Sequence, residues 1–330
     1  MNIFHKNYDE LFSLDNIFLA WRIFRRGKAG KREVMDFEMH LEDHLFRLFE
    51  QLRVGRYRHL LYKFFQIFDN KKRDIHKAEI IDRIVHQIVY DHLLSIFEPI
   101  FIRDSYASRI DKGQYRAIDT LRYFIKLAGD RDGDCYVLKC DVRKYFDSID
   151  QKILADLIGE KVFCDETMDI IREIVSSYSS IDPGKGIPLG NVTSQIFANI
   201  YLDILDQYVK NELKCRFYIR YNDDLAVISK DRAELEKIRD KIMTFARQKL
   251  SLEIPMEKTS IRKIGWGVDF LGFTVLPRSV LLRNKTKNKI YSNISRKNIH
   301  SYMSILRHCD SYNLRKKIIS RVNDEKQHIV

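Results

Sequence analysis

Residues 216–228 read RFYIRYNDDLAVI, with two adjacent carboxylates, Asp223 and Asp224, between apolar runs. The flanks have strand-like composition, which predicts a strand–turn–strand hairpin with both aspartates at its tip. Neighbouring residues of a strand point to opposite faces, so adjacent carboxylates can act together only at a turn. They repel each other unless a cation neutralises them, and Mg²⁺ prefers such oxygen ligands. Taken alone, an Asp-Asp pair favours an ordinary polar turn, and other parts of the sequence must support the metal site.

A third carboxylate lies near the end of another predicted strand. Residues 136–142 (YVLKCDV) have the pattern of a buried strand and contain Asp141. Phosphoryl transfer by two metals needs carboxylates from separate elements that hold ions about 3.5–4 Å apart. If the strands of Asp141 and Asp223 pair in one antiparallel sheet, one metal activates a 3′-hydroxyl and the other holds a triphosphate. We therefore favour a site for two Mg²⁺ ions, with Mn²⁺ as a substitute, over a capping role for Asp141.

Composition agrees with a phosphate-rich partner. The chain has 330 residues, of which 45% are hydrophobic, and a formal net charge of +12. This length predicts two or three subdomains, and the basic excess favours nucleic acid over mere solubility. Five cysteines without a C-x-x-C pair argue against a zinc site or a disulfide framework. The absence of a long apolar run or signal peptide predicts a cytoplasmic protein with no membrane partner.

Periodicity predicts most of the remaining elements. Helices are expected after a cap at Ser13 or Asp15 and over 33–52, 80–97, 117–127, 151–159, 165–178, 193–213 and 233–250. A hairpin of 62–68 against 73–76, with a turn at 69–72, would carry Lys71, Lys72 and Arg73 near its tip. A second turn is expected at 130–134, and two strand-like runs lie between 261 and 276. The basic segment from Arg278 onward predicts a small helical subdomain with a cationic face.

Five motifs in a fixed order then make the chain similar to a known family. They are Asp141 with Phe146, Gly190-x-x-x-Ser194-Gln195, Tyr221-Asn222-Asp223-Asp224, Lys258-Thr259, and Asp269-Phe270-Leu271-Gly272. This series resembles that of prokaryotic reverse transcriptases, of the diversity-generating retroelement or defence-associated kind. Upstream matches are Lys72-Arg73, Asp82-Arg83-x-x-His86 and Ser105-Tyr106-x-x-Arg109-x-x-Lys112-Gly113, so the resemblance covers roughly residues 15–320.

The resemblance implies an α+β fold arranged as a right-hand polymerase. The fingers would comprise residues 1–130, with N-terminal helices and the basic hairpin. The palm would comprise residues 131–277, with an antiparallel sheet and the catalytic aspartates, and residues 278–330 would form a small helical thumb. The chain leaves no room after the thumb for an RNase H or endonuclease domain, so we expect other proteins to degrade the template or insert the product.

The resemblance also implies roles for individual residues. Asp141 and Asp223 would be catalytic metal ligands, with Asp224 as a less directly bound supporting carboxylate. Lys258 would give a proton to pyrophosphate, unless it is an ordinary surface lysine, and Phe146 would exclude a 2′-hydroxyl, unless it only packs in the core. The remaining expected contacts are Lys72, Arg73, Gln195 and Asn222 with the nucleotide, and Arg109, Gly190, Ser194, Leu271 and Gly272 with primer or template.

Two positions bear on the subclass. Leu189 before the glycine and Gln195 after Ser194 are similar to diversity-generating retroelement enzymes, and defence-associated enzymes look much the same. Asn222 departs from the Ala, Met or Val that family members more often carry, and its side chain could hydrogen-bond to primer or nucleotide. That departure puts fidelity and nucleotide preference in question.

Together these observations predict an RNA-directed DNA polymerase that uses Mg²⁺ and deoxynucleoside triphosphates. Its expected template is a dedicated non-coding RNA, its product is DNA, and we favour a role in bacterial antiphage defence. The alternatives are the reverse transcriptase of a diversity-generating retroelement and, outside the enzymes, a catalytically inactive RNA-binding protein. Whether an accessory protein or a second copy of the chain takes part stays open.

Overall fold

A computed structural model describes residues 7–68, 72–129, 135–296 and 298–324 of the chain. The elements form a mixed α+β fold, which confirms the predicted fold class. The chain divides into two compact units, one of residues 1–103, 142–207 and 244–253, and one of residues 104–141, 208–243 and 254–330. The division into fingers, palm and thumb stays a prediction. Most of the turn predicted at 69–72, including Lys71, and the whole turn at 130–134 lie outside the described residues.

The elements follow one another in this order. The helices are α1 (Tyr8–Leu11), α2 (Leu14–Arg25), α3 (Arg32–Glu38), α4 (Leu41–Arg53), α5 (Ile80–Phe97), α6 (Gln114–Ala128), α7 (Tyr145–Ser148), α8 (Gln151–Gly159), α9 (Asp165–Ser176), α10 (Val192–Gln207), α11 (Arg232–Leu250), α12 (Asn284–Asn293), α13 (Ile299–Leu306) and α14 (Tyr312–Asp324). The strands are β1 (Lys63–Phe68), β2 (Lys72–Lys77), β3 (Tyr136–Asp141), β4 (Tyr218–Tyr221), β5 (Asp224–Ser229), β6 (Thr259–Lys263), β7 (Val268–Phe270), β8 (Phe273–Val275) and β9 (Val280–Leu282).

The first unit is built around α5, which is apolar on most of its surface. Ile84, Val85 and Val89 are fully buried, and α5 packs against α2 and α10. Ser13 caps α2 by accepting a hydrogen bond from the backbone of Asn16, as predicted. The predicted hairpin is present as β1 and β2, which pair with each other in a two-stranded antiparallel sheet.

The second unit contains two antiparallel sheets. One has four strands in the order β4-β5-β3-β6, and the other has three in the order β7-β8-β9. Apolar residues from one face of the larger sheet, such as Val137, Ala226 and Ile228, share a buried cluster with Phe270 and Phe273 of the smaller sheet. A separate buried cluster holds α12, α13 and α14 together through Ile290, Leu306, Ile318 and others. The four-stranded sheet is the element that positions the carboxylates.

Three predicted elements differ from the observed ones. The single helix predicted over 33–52 is two helices, because the backbone leaves helical geometry at His40, where φ is −129°. The helix predicted over 193–213 ends at Gln207 and continues as a π-helical turn, Tyr208–Glu212. The segment after Arg278, expected to form a small helical subdomain, contains α12, α13 and α14 but begins with strand β9, which pairs with β8.

None of the helices in the described part of the chain combines the length and the apolar character that a membrane crossing requires.

Candidate active site

The Asp-Asp pair lies at a tight turn between β4 and β5. Tyr221 and Asp224 are the last paired residues, so Asn222 and Asp223 form the turn itself. Asn222 has a φ of +51°, a conformation that asparagine tolerates better than most residues. The fully buried Arg220 lies directly before the turn, and its guanidinium donates a hydrogen bond to the carbonyl oxygen of Asn222 at 3.1 Å. This hydrogen bond helps to hold the backbone of the turn in one conformation.

The register of the sheet brings the third carboxylate to this turn. Asp141, the last residue of β3, lies directly opposite Asp224 of β5. Because side chains alternate along a strand, Asp141 and Lys139 project from the same face of β3. The predicted pairing of the two aspartate-bearing strands in one antiparallel sheet is thereby confirmed.

Two lysines compensate part of the negative charge. The Lys139 ammonium lies 3.1 Å from Oδ1 of Asp224, and the Lys258 ammonium lies 2.7 Å from Oδ1 of Asp141. Asp223 has no comparable lysine contact in the described structure. Burial raises the pKa of Asp223 to about 6, and the charges of Asp141 and Asp224 push that pKa in the same direction. A cation beside Asp223 would oppose both effects, as the charge of Lys258 already does in part, since it favours the ionised carboxylate.

The donor set fits Mg²⁺ only if the substrate completes it. Among the described residues, no three side chains of His, Cys, Asp or Glu are grouped so that they could hold a metal ion by themselves. Asp224 is bonded by Lys139 and Asp141 by Lys258, so the lysine contacts do not by themselves separate a metal ligand from a supporting carboxylate. Protein Mg²⁺ sites of this kind use one or two carboxylates together with water and substrate phosphates. The side chains present therefore fit such a site; that Asp141 and Asp223 are the ligands and Asp224 the supporting carboxylate stays a prediction.

The turn between β7 and β8 carries two more of the predicted residues. Phe270 pairs with Phe273, so Leu271 and Gly272 form a two-residue turn. Both have positive φ, +49° and +86°, which is strained for leucine. Lys139 also reaches this turn, since its ammonium donates to the carbonyl oxygen of Asp269 at 2.7 Å. Arg109, in the same unit, donates to the carbonyl oxygen of Ser105 at 3.0 Å.

The other predicted residues lie in the first unit. Hydrogen bonds there attach the base of the β1–β2 hairpin to the loop before α10. Lys72 and Arg73 are exposed on β2. The backbone N–H of His76 donates to the carbonyl oxygen of Leu189 at 3.1 Å, and the Asn191 side chain donates to the carbonyl oxygen of His76 at 2.8 Å. Gly190 has a φ of +111°, and a Cβ there would lie 2.9 Å from Cγ2 of Ile75. A glycine is therefore required where this loop passes the hairpin.

The three further positions of that unit have different surroundings. Ser194 is buried and donates to the carbonyl oxygen of Pro188 at 2.6 Å, whereas its neighbour Gln195 is exposed. Phe146 is half-buried, and the adjacent Tyr145 takes the core position. The burial of Phe146 is compatible both with a packing role and with the predicted contact to the sugar, and the choice between them stays a prediction. Burial raises the pKa of the neighbouring Asp147, with Asp74 of β2 adding to the effect.

Sequence reasoning missed Lys139 and Arg220. The sequence does contain a signal for Lys139. This lysine lies two residues before Asp141 on a predicted strand, so both side chains must project from the same face of that strand. Arg220 had none, since an arginine in a strand is usually exposed rather than fully buried.

Similar proteins include two bacterial ones. Protein YkfC of Escherichia coli (strain K12) is 25% identical over 246 residues, which cover 63% of this chain and 64% of YkfC. The group II intron-encoded protein LtrA of Lactococcus lactis subsp. cremoris is 21% identical over 350 residues, which cover 84% of this chain and 57% of LtrA. The matched region therefore spans somewhat less than two thirds of each of these relatives.

Solved structures share the fold at low sequence identity. Telomerase from Candida albicans, in complex with a fragment of telomeric RNA, has a TM-score of 0.52 at 13% identity over 77% of this chain and 51% of that one. Apo telomerase from Candida tropicalis has a TM-score of 0.51 at 15% identity over 69% of this chain and 49% of that one.

The family model described as reverse transcriptase (RNA-dependent DNA polymerase) matches residues 69–275, well over half of the chain and the whole interval from the exposed hairpin to β8. That interval includes Asp141, Asp223 and Asp224 with the sheet register that brings them together. The chain belongs to the reverse transcriptase family.

Proposed function

We propose that the chain is an RNA-directed DNA polymerase that extends a primer on an RNA template by two-metal nucleotidyl transfer. The observation that carries the proposal is the pairing of Asp141 with Asp224 beside the turn residue Asp223. Asp141 and Asp223 would hold two Mg²⁺ ions, for which Mn²⁺ is the expected substitute. When bound, such ions lower the pKa of a 3′-hydroxyl and neutralise charge on the triphosphate.

The protein's own side chains would bind and orient the substrates. Exposed cations such as Lys72 and Arg73 are suited to the phosphates of an incoming nucleotide, because charge-assisted hydrogen bonds to phosphate are strong. Lys258 would leave Asp141 when a metal binds there and give its proton to pyrophosphate. The backbone of Leu271 and Gly272 would hold the primer end. In this scheme the fingers comprise residues 1–130, the palm 131–277 and the thumb 278–330.

Primer extension on an RNA template tests the activity. The wild-type chain should extend a DNA primer with Mg²⁺ and deoxynucleotides, and the Asp223→Ala, Asp224→Ala double variant should not. Asp240→Asn is the matched control, since it removes an exposed carboxylate from α11 of the same unit. Equal extension by the wild type and the double variant would contradict the polymerase. A wild type that binds RNA but extends nothing would favour the catalytically inactive RNA-binding protein.

Sugar selection gives a second test of the proposed activity. Replacing Phe146 with alanine should raise the incorporation of ribonucleotides relative to deoxynucleotides by about 10-fold or more, because the variant would lack the ring that is proposed to clash with a 2′-hydroxyl. The ratio of kcat/KM values for the two nucleotides on one template measures this effect. An unchanged ratio in a folded variant would leave Phe146 with a packing role only.

We further propose that the template is a dedicated non-coding RNA and that the DNA serves bacterial antiphage defence. The support is Asn222, whose departure from the common pattern fits this looser group, whereas the Leu189-Gly190 and Ser194-Gln195 pattern fits it and diversity-generating retroelements alike. Two measurements distinguish the defence role from the retroelement role. They are sequencing the RNA that copurifies with the chain and sequencing the DNA made before and after phage infection. A product that matches a variable protein-coding repeat would favour the retroelement.

A further inference from the structure

Lys139 occupies a position on β3 that usually belongs to the core. Its side chain is 22% exposed, and its neighbours in the sheet are Ala226 of β5 and Ser260 of β6. Both neighbours are small, so the lysine can lie along the sheet surface with its stem covered. On the same face Val137 joins the buried apolar cluster. Lys139 therefore separates that cluster from the carboxylate of Asp141.

The ammonium group of Lys139 joins two separate turns. It lies 3.1 Å from Oδ1 of Asp224, next to the β4–β5 turn, and it donates to the carbonyl oxygen of Asp269 at 2.7 Å, just before the β7–β8 turn. It also lies 5.8 Å from the ring centre of Phe270. A carboxylate and a carbonyl are both acceptors, and only a group with several donors can bind both at once. No direct hydrogen bond between these two turns is found among the described residues apart from this bridge.

The second turn is also fixed from its other side. The Asp269 carboxylate accepts from the Thr274 hydroxyl at 2.8 Å and lies 3.1 Å from Nε of Arg283. The carbonyl oxygen of Gly272 accepts from the Arg283 backbone and from the Thr286 hydroxyl, each at 3.1 Å. These bonds tie the β7–β8 turn to the start of α12. Lys139 provides the contact that joins the same turn to the catalytic carboxylates.

We infer that Lys139 is a positioning residue that sets the distance between the Asp223–Asp224 turn and the Leu271–Gly272 turn. The inference rests on the proposed function, in which the first turn holds the metals and the second holds the primer end. If the bridge is lost, the 3′-hydroxyl is no longer held in register with the metals. A displacement of about 1 Å at reacting atoms can cost about 100-fold in rate. The strained φ of Leu271 makes this turn dependent on outside bonds.

The test compares Lys139→Met with Lys139→Arg and Arg262→Met. Methionine keeps the apolar stem but has no donor, and arginine keeps the charge. Arg262 is an exposed cation on β6 of the same sheet and controls for the loss of one positive charge. We expect Lys139→Met to lower kcat for primer extension by about 10- to 100-fold, with the nucleotide KM and the Kd for an RNA–DNA duplex changed less than about 3-fold. Lys139→Arg should recover part of the loss, and Arg262→Met should match the wild type.

A spectroscopic measurement without turnover completes the test. With 2-aminopurine at the primer's 3′ end and no nucleotide present, Lys139→Met should change the fluorescence of the bound duplex, and Arg262→Met should not. Arg283→Met, which loosens Asp269 from the other side, should change it in the same direction. An active wild type with an equally active Lys139→Met variant would overturn the inference alone, as would a raised KM or Kd at unchanged kcat. A wild type that extends no primer would instead contradict the proposed function. If Lys139→Met does not fold, Lys139→Leu, which also has no donor, takes its place with the same expectations.

Discussion

The β4–β5 hairpin and the β1–β2 hairpin carry opposite charges in opposite surroundings. Strand β5 is buried from Leu225 to Ile228 within a four-stranded sheet, and its turn is bonded by Arg220 and Lys139. All six residues of β1 are exposed, and β2 presents Lys72 and Arg73 to solvent. Burying the carboxylates of the acidic hairpin costs free energy, which the surrounding sheet offsets. The cations of the basic hairpin stay hydrated, so that hairpin has no such cost.

This contrast separates two tasks in the proposed reaction. Carboxylates that hold metals must stay fixed while charge develops, and a rigid, partly buried turn provides that. Cations that meet a mobile triphosphate lose little by remaining solvated until it arrives. Changes in the β4–β5 hairpin should therefore act mainly on kcat, and changes in the β1–β2 hairpin mainly on the nucleotide KM.

The largest expected effect distinguishes the two aspartates of the buried hairpin. Asp223→Asn should lower kcat by about 1,000-fold or more, because a lost metal ligand costs several kcal/mol and each 1.36 kcal/mol is a factor of ten. Asp224→Asn should cost only about 10-fold, since Asp224 is bonded by Lys139. Single-turnover extension of one primer by both variants measures the ratio. Equal losses would make Asp224 a direct ligand as well.

Stability should move in the opposite direction for Asp223. Its folded-state pKa is raised to about 6, so the folded chain binds more protons than the unfolded chain between about pH 4 and 6. Ionised Asp223 therefore destabilises the metal-free protein, and stability falls as pH rises through that window. In EDTA at pH 7, Asp223→Asn should melt about 1–2 °C above the wild type and should lack that part of the pH dependence. A lower Tm would contradict the burial of a carboxylate whose charge is only partly compensated.

The exposed hairpin should give a smaller effect of another kind. Lys72→Ala and Arg73→Ala should each raise the nucleotide KM by about 10-fold, the expected loss of one charge-assisted hydrogen bond. Because both side chains are exposed, their Tm values should stay within about 1 °C of the wild type. Lys63→Ala is the control, as it removes a cation from the other end of the same hairpin. If Lys72→Ala and Arg73→Ala instead lowered kcat and left the nucleotide KM unchanged, the two hairpins would not have separate tasks in the reaction.

The sequence predicted both hairpins because strand composition and turn residues are local signals. A two-metal site also required that the strand of Asp141 and the hairpin of Asp223 belong to one antiparallel sheet, and they do. The sequence could not predict the register that places Asp141 opposite Asp224, because that depends on pairing across more than one element. The break at His40 was hidden for a similar reason, since Phe37, Leu41 and Leu45 keep helical spacing through it.

Asn222 is where the sequence argument and the structure give different explanations. The sequence suggested that its side chain contacts primer or nucleotide, whereas a φ of +51° already favours asparagine over the Val or Ala found in other members. Asn222→Gly should therefore keep Tm within about 1 °C and leave nucleotide preference unchanged. Asn222→Val should cost about 1 kcal/mol, or about 1–2 °C in Tm, because a β-branched residue is strained at this φ. Melting curves and kcat/KM ratios for the four deoxynucleotides measure both effects. Altered nucleotide preference in the glycine variant would show that the amide itself reaches the substrate, and the turn would then carry a chemical contact in addition to its backbone geometry.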